Sequence, residues 1–280
     1  MEHTGLRNKV AIVTGGAGVL CSSFAQALAR YGVKVAVADY ALDRAKAVAA
    51  DIQKAGGEAL AVGMNVLDAQ SIKAAHEEVK AAFGPCDILI NGAGGNHPSA
   101  TSDDEYFSME TLRDPAKKSF FDLDPAAFEK VMDLNLTGTF MPTQVIARDM
   151  VDKQSGVIVN ITSMNAYRPL TKIPAYSAAK AGVSNLTQWL AVHFAKSGIR
   201  VNAIAPGFFS TAQNKALLWN ADGSATARTQ KILGATPMGR FGEPEDLLGA
   251  LLFLVDDAQS AFITGIAIPV DGGFSAYSGV

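Results

Sequence analysis

The sequence predicts an α/β fold: a single doubly wound parallel sheet of about seven strands with helices on both faces. Three observations carry this reading. Short apolar, β-branched runs alternate with longer helical patterns, as expected of strands buried on both faces and linked by crossover helices. The first run passes through glycines straight into a helical pattern. No internal repeat or low-complexity linker interrupts residues 1–280, so one domain accounts for the whole length.

The first strand candidate is KVAIVT (9–14), which runs into TGGAGVLC (14–21) and a helix over 19–31. Gly16-x-Gly18-x-x-Cys21 fits the dinucleotide pattern G-x-G-x-x-G/A in the strand–turn–helix setting it requires. Early glycines permit a tight turn and close approach to a pyrophosphate. The helix start adds amide donors and a positive dipole end. The second strand, KVAVAD (34–39), closes on Asp39, 39 − 18 = 21 residues after Gly18. An acid there can bond the adenosine ribose hydroxyls and repel a 2′-phosphate, which favours NAD(H) over NADP(H). Its alternative role is to cap the next helix, 42–55, on which Arg44 is the nearby cation.

Next come the strand EALAVGM (58–64), a helix over 68–83 started by Asp68, and the strand DILIN (87–91). A helix over 125–153 starts at Asp124-Pro125 and leads to the strand GVIVNIT (156–162). A helix over 174–197, the strand IRVNAIA (199–205), a helix over 243–256 opened by Glu243-Pro244 and the strand FITGIAIPV (262–270) complete the pattern. Two long connections, 95–124 and 207–242, follow the fourth and sixth strands. Connections of this length in a compact domain usually serve function. Both leave the carboxyl ends of strands, where open α/β sheets bind ligands, so they read as lids near a substrate site.

Composition narrows the function classes. Hydrophobic residues make up 49% and charged residues 18%, with a net charge of −3, so no basic footprint points to nucleic acid. Cys21 and Cys86 show neither metal-ligand spacing nor a disulfide framework. No metal is expected, and a reduced, cytoplasmic setting fits. No stretch reaches the roughly 18 apolar residues of a membrane span, and the first apolar run is too short for a signal-peptide core.

The chemistry is suggested by Tyr176 and Lys180 in PAYSAAKAG, preceded by Ser163 in VNITSMNAY. A spacing of four places phenol and ammonium one helical turn apart on one face. A nearby ammonium favours phenolate and is expected to draw the tyrosine pKa down towards neutrality. Such a tyrosine can exchange a proton with a carbonyl or alcohol oxygen, which a Ser163 hydroxyl would hold. The implied reaction is carbonyl reduction or alcohol oxidation.

With these motifs in place, the chain resembles the short-chain dehydrogenase/reductase family over nearly its full length. The resemblance rests on VTGGAG (13–18), INGAG (90–94), DLNLTG (133–138), NITS (160–163), YSAAK (176–180), VNAIAPG (201–207) and VDGGF (270–274). The interval from Ser163 to Tyr176, 176 − 163 = 13, is the family's usual one. The resemblance implies a Rossmann-type catalytic domain binding NAD, with Tyr176 as general acid/base and Ser163 polarising the substrate oxygen. Lys180 would bind the nicotinamide ribose, and Asn135 would complete a proton relay or kink its helix. The cofactor would lie along Gly15, Gly16, Gly18, Val19, Leu20, Asp39, Asn65, Val66, Asn91, Gly92, Ala93, Pro206, Gly207 and Thr211. The family suggests a homotetramer. Four departures stand out: Val19 and Cys21 replace glycines, NGAG replaces NNAG, and Asn65 replaces a common acid.

NGAGGNHP (91–98), the segment 163–181, WLAVHFAK (189–196), APGFF (205–209) and GGFSAYSGV (272–280) resemble a narrower branch, the D-mannonate oxidoreductase (fructuronate reductase)-like enzymes. A sugar acid needs hydrogen-bond partners and a cation. His97, Asn165, Arg168, Lys172, Gln213 and Asn214 are the candidates, with Arg168 or Lys172 expected to hold the carboxylate. Gluconate 5-dehydrogenase-like and 3-oxoacyl reductase activities are the alternatives, and Asp39 argues against the usually NADPH-linked latter type. A non-catalytic dinucleotide sensor would not need Ser163, Tyr176 and Lys180 together.

Overall fold

The computed structural model describes residues 4–210 and 218–279. Its strands are β1 (Val10–Thr14), β2 (Lys34–Asp39), β3 (Ala59–Gly63), β4 (Ile88–Asn91), β5 (Gly156–Ile161), β6 (Ile199–Pro206) and β7 (Ala267–Val270). All neighbours pair in parallel, in the order β3-β2-β1-β4-β5-β6-β7. The direction of winding changes between β1 and β4, the place where such sheets open a ligand crevice. The helices are α1 (Val19–Arg30), α2 (Leu42–Lys54), α3 (Ala69–Phe83), α4 (Met109–Arg113), α5 (Pro125–Met132), α6 (Gly138–Lys153), α7 (Pro174–Phe194), α8 (Ala227–Gly234), α9 (Leu248–Val255) and α10 (Asp257–Ser260).

Strand alternation divides the core in two. Ala11, Val13, Val35, Val37, Ile88 and Ile90 pack with α1, α2 and α9, whereas Val10, Ile12, Ala36, Ala38 and Leu89 pack with α3, α6 and α7. On the second face Asp149 of α6 is buried. It accepts from the Cys86 amide at 2.9 Å and lies 2.7 Å from His76 Nε2 of α3. Burial alone would raise its pKa, but these contacts outweigh that and hold it below the ordinary carboxylate value.

The helix starts follow the sequence. The Asp68 carboxylate accepts from Gln70 N at 2.8 Å, and that of Asp124 from Ala126 N at 2.9 Å. Glu243 and Asp246 form a capping box, although a 3₁₀ turn, Pro244–Leu247, comes before α9. Three expected elements change. The helix over 125–153 contains a π turn, Asp133–Thr137, between α5 and α6. The α form of 174–197 ends at Phe194 and a 3₁₀ turn closes it at Gly198, whose φ is 70°. The strand expected over 262–270 pairs only from Ala267 onward, because Gly265 turns the chain at a φ of 83° and Phe262 faces solvent. The long connections also carry structure. α4 and the 3₁₀ turn Phe120–Asp122 lie within 95–124, and α8 lies within 207–242.

Candidate active site

Two clefts meet at the carboxyl edge of the sheet. The larger, about 640 Å³, runs from Asp39 and Arg44 past Gly15, Gly18, Asn65, Val66, Gly92 and Ala93 to Lys180. The smaller, about 340 Å³, is lined by Ser163, Pro206, Gly207 and residues of the second long connection. Val19, Leu20, Ile161 and Tyr176 border both. The tyrosine therefore stands at the junction.

The glycine turn is shaped for close backbone contact. A Cβ on Gly16 would lie 2.8 Å from Val13 O and 2.9 Å from Val37 Cγ1, so Gly16 packs the turn on the strands and does not line the cleft. Gly15 has a φ of 62°, a left-handed conformation that favours glycine. No side chain caps α1 at Gly18, which leaves its leading amides to an anionic group. Thr14, which the sequence reading passed over, ties this turn to the β4 loop: its hydroxyl accepts from Gly92 N at 3.1 Å and Ala93 N at 3.3 Å. Asp39 is buried, accepting from Ala17 N at 3.1 Å and Ala41 N at 2.9 Å, with Arg44 3.9 Å away. It lines the cleft and braces the turn before α2, although no side chain caps the helix itself at Ala41. A cleft with this turn, open amides and acid fits a dinucleotide.

The departures in the glycine loop explain each other. A Cβ on Gly92 would sit 2.1 Å from Cys21 Sγ, so the thiol occupies the room that a larger residue at 92 would need. Burial pushes the Cys21 thiol up to about 12, leaving it a packing group. Asn91 corrects an expectation. It shares strand parity with Leu89 and so turns into the core, donating to Thr143 Oγ1 at 2.9 Å and Asn160 Oδ1 at 2.8 Å. It braces β4 and β5 against α6 and is absent from the cofactor wall.

Ser163 follows β5, and its hydroxyl accepts from Asn165 N at 3.2 Å. Lys180 is buried and donates to Ile161 O at 2.7 Å, while Thr162 Oγ1 donates to Lys180 O at 2.7 Å. Strand end and α7 are thereby pinned together. Lys180 Nζ lies 5.6 Å from the centre of the Tyr176 ring. Burial lowers the ammonium pKa to about 8. The Tyr176 phenol moves the opposite way from the sequence expectation: burial raises it, and the Ser163 hydroxyl provides the lowering contact. Desolvation is the largest influence on both groups.

Asn135 lies in the π turn with its side chain engaged. Its Oδ1 accepts from Gly95 N at 3.2 Å and its Nδ2 donates to Gly95 O at 2.7 Å and Val131 O at 2.8 Å. Gly94, also overlooked, fits between this side chain and the lysine: a Cβ there would meet Asn135 Oδ1 at 2.6 Å and Lys180 Nζ at 3.2 Å.

The expected substrate contacts are not assembled at the smaller cleft. Arg168 donates to Tyr277 O and Lys172 to Asp103 O, so both cations tie peptide segments together. His97 Nδ1 accepts from Ser99 N at 3.2 Å and caps a 3₁₀ turn, and Asn165 is buried beside Ser163. None of the four lines the cleft. Thr211, Gln213 and Asn214 lie outside the described residues. A residue not foreseen, Arg228 of α8, lines it instead. Its signal was available in the sequence: Thr226 caps α8, accepting from Thr229 N at 3.2 Å ahead of the apolar pair Ile232 and Leu233.

A doubly wound sheet with a tyrosine at the junction of a dinucleotide-shaped cleft and a second pocket is the arrangement of a dehydrogenase. The short chain dehydrogenase family matches residues 9–221, and the chain belongs to that family of oxidoreductases. It is 52% identical to the "Uncharacterized oxidoreductase UxuB" of Bacillus subtilis (strain 168), over 99% of both chains. A solved structure from Haemophilus influenza, named a "putative D-Mannonate oxidoreductase" and holding NAD, is 55% identical with a TM-score of 0.95, covering 98% of each chain. The 5-keto-D-gluconate 5-reductase of Escherichia coli (strain K12) is 32% identical, over 96% of both chains. Among the described residues no helix is long and apolar enough to cross a membrane.

Proposed function

We propose that this dehydrogenase interconverts a sugar-acid alcohol and its ketone with NAD(H), and that the pair is D-mannonate and D-fructuronate. The observation that carries the reading is the position of Tyr176, shared by the Asp39 cleft and the Ser163 cleft. NAD would supply the hydride acceptor, held by the glycine turn, Asp39 and Lys180. Ser163 and Tyr176 would take the substrate oxygen between their hydroxyls. The raised phenol pKa keeps the Tyr176 Oη proton in place near neutrality, ready for donation to a ketone oxygen. Lys180, close to its own pKa, can pass a proton on towards Gly94 and Asn135, where the relay would run. The likeness to the Haemophilus structure supports mannonate and the NAD preference. The Escherichia coli relative supports 5-keto-gluconate as the second substrate to test.

The test is NADH oxidation with D-fructuronate, 5-keto-D-gluconate and simple ketones. Tyr176→Phe should retain NADH affinity while kcat falls by roughly 10²–10⁴-fold. A variant with wild-type kcat would remove Tyr176 from the chemistry. Free, buried Cys21 and Cys86 support a reducing, cytoplasmic setting. The exposed Phe140, Trp189 and Val192 on α6 and α7 support the homotetramer, which sedimentation would test.

A further inference from the structure

We infer that Arg228 holds the substrate carboxylate and gives the enzyme its preference for acids over neutral ketoses, an inference that rests on the sugar-acid reading above. Among the described residues, Arg228 is the sole charged side chain lining the cleft that contains Ser163 and Tyr176. Phe208, Phe209, Leu218, Ile232 and Phe241 line the same cleft with apolar surface, so the exposed guanidinium of Arg228 is the charge that a carboxylate entering the cleft would meet.

Four other cations on or beside the two long connections are committed elsewhere. Lys231 pairs with Glu105 at 2.6 Å, Arg240 with Asp246 at 2.6 Å, and Arg168 and Lys172 bind main-chain carbonyls. Arg228 forms neither an ion pair nor a hydrogen bond among the described residues. Its five N–H donors are free for the planar, bidentate pairing that a carboxylate offers.

The helix that carries it is fixed in place. Thr229 Oγ1 donates to Leu218 O at 2.5 Å, and Leu218, Ile232 and Phe241 form a small buried cluster. The Lys231–Glu105 pair joins α8 to the other long connection, 231 − 105 = 126 residues earlier. Arg228 is therefore presented from a braced helix, and its own side chain is what remains to be ordered when substrate arrives.

The experiment compares wild type, Arg228→Gln and Arg228→Lys on D-fructuronate, 5-keto-D-gluconate and the neutral ketose D-fructose, with NADH binding followed by fluorescence. In Arg228→Gln, KM for the keto acid used by wild type should rise about 10- to 100-fold. NADH affinity should stay unchanged, the preference in kcat/KM for the keto acid over fructose should fall by a similar factor, and Arg228→Lys should recover part of the loss. Unaltered acid KM in Arg228→Gln would overturn the assignment while leaving the sugar-acid activity standing. Weakened NADH binding would overturn it by placing Arg228 on the cofactor. A wild type that reduces only neutral ketones would overturn both the assignment and the reading beneath it.

Discussion

Gly94→Ala is the sharpest perturbation of the site, because the added atom has a computable place. Gly94 has no left-handed backbone angle, so strain would arise from crowding alone. The new Cβ would stand 2.6 Å from Asn135 Oδ1 and 3.2 Å from Lys180 Nζ. The first distance demands movement. Asn135 is held by two hydrogen bonds to Gly95 and one to Val131, while Lys180 is anchored to Ile161 O at 2.7 Å. Overpacking costs about 1–3 kcal/mol, and weakening the Asn135–Gly95 pair adds about 1 kcal/mol. A loss of about 2–4 kcal/mol should lower Tm by roughly 4–8 °C. Displacing the ammonium by a fraction of an ångström should also cut kcat about tenfold, since a 1 Å error costs about 10². Calorimetry and NADH-linked turnover measure the two effects. Gly95→Ala is the control: its Cβ would meet only Leu134 Cδ2, at 3.8 Å, and should change Tm little. Equal Tm and kcat in Gly94→Ala and wild type would refute the packing argument.

Three further outcomes are expected. Asp39→Ala should shift the ratio of kcat/KM for NAD over NADP towards NADP by at least about tenfold, because the acid that repels a 2′-phosphate is gone; an unchanged ratio in steady-state assays would remove Asp39 from discrimination. Lys180 has a folded pKa of about 8, below its usual 10.5, so the unfolded chain binds more protons between those values and stability gains from this residue as pH rises through that window. Urea titrations at pH 7.5 and 10 should show wild type gaining up to about 3 kcal/mol relative to Lys180→Met, and a pH-independent difference would contradict the buried ammonium. Asp149→Ala strips His76 and the Cys86 amide of their shared partner and should cost roughly 3–5 kcal/mol with kcat unaffected. A Tm within 1 °C of wild type, by about the same conversion, would show that the contact carries no net stability.

Residues whose position depends on local spacing were legible from sequence. The glycine turn, Asp39 and the Tyr176–Lys180 turn are set by strand–helix periodicity, and each lies at the foreseen edge of the sheet. Roles that depend on side-chain direction or distant partners were hidden. Asn91 looked like a cleft residue until strand parity turned it towards Thr143. Arg168 and Lys172 were well placed along the chain, but their partners, Tyr277 O and Asp103 O, are more than 60 residues away. The Tyr176 pKa ran opposite to expectation because a pairwise charge argument contains no burial. Gly92 and Cys21 looked like two separate departures because only the folded chain brings them together.

The strand order also sets a timetable for synthesis. β1, β2 and β3 can pair once residue 63 has emerged, but the free edge of β1 must wait for β4, which ends at Asn91. From there β5, β6 and β7 add to the same edge in the order in which they are made. At the roughly 5–20 residues per second of translation, the cofactor half of the sheet stands for several seconds with one apolar edge exposed. Parallel pairings cannot shorten that interval with a local hairpin. A nascent chain truncated before β4 therefore presents β1 as an open template for pairing with another chain.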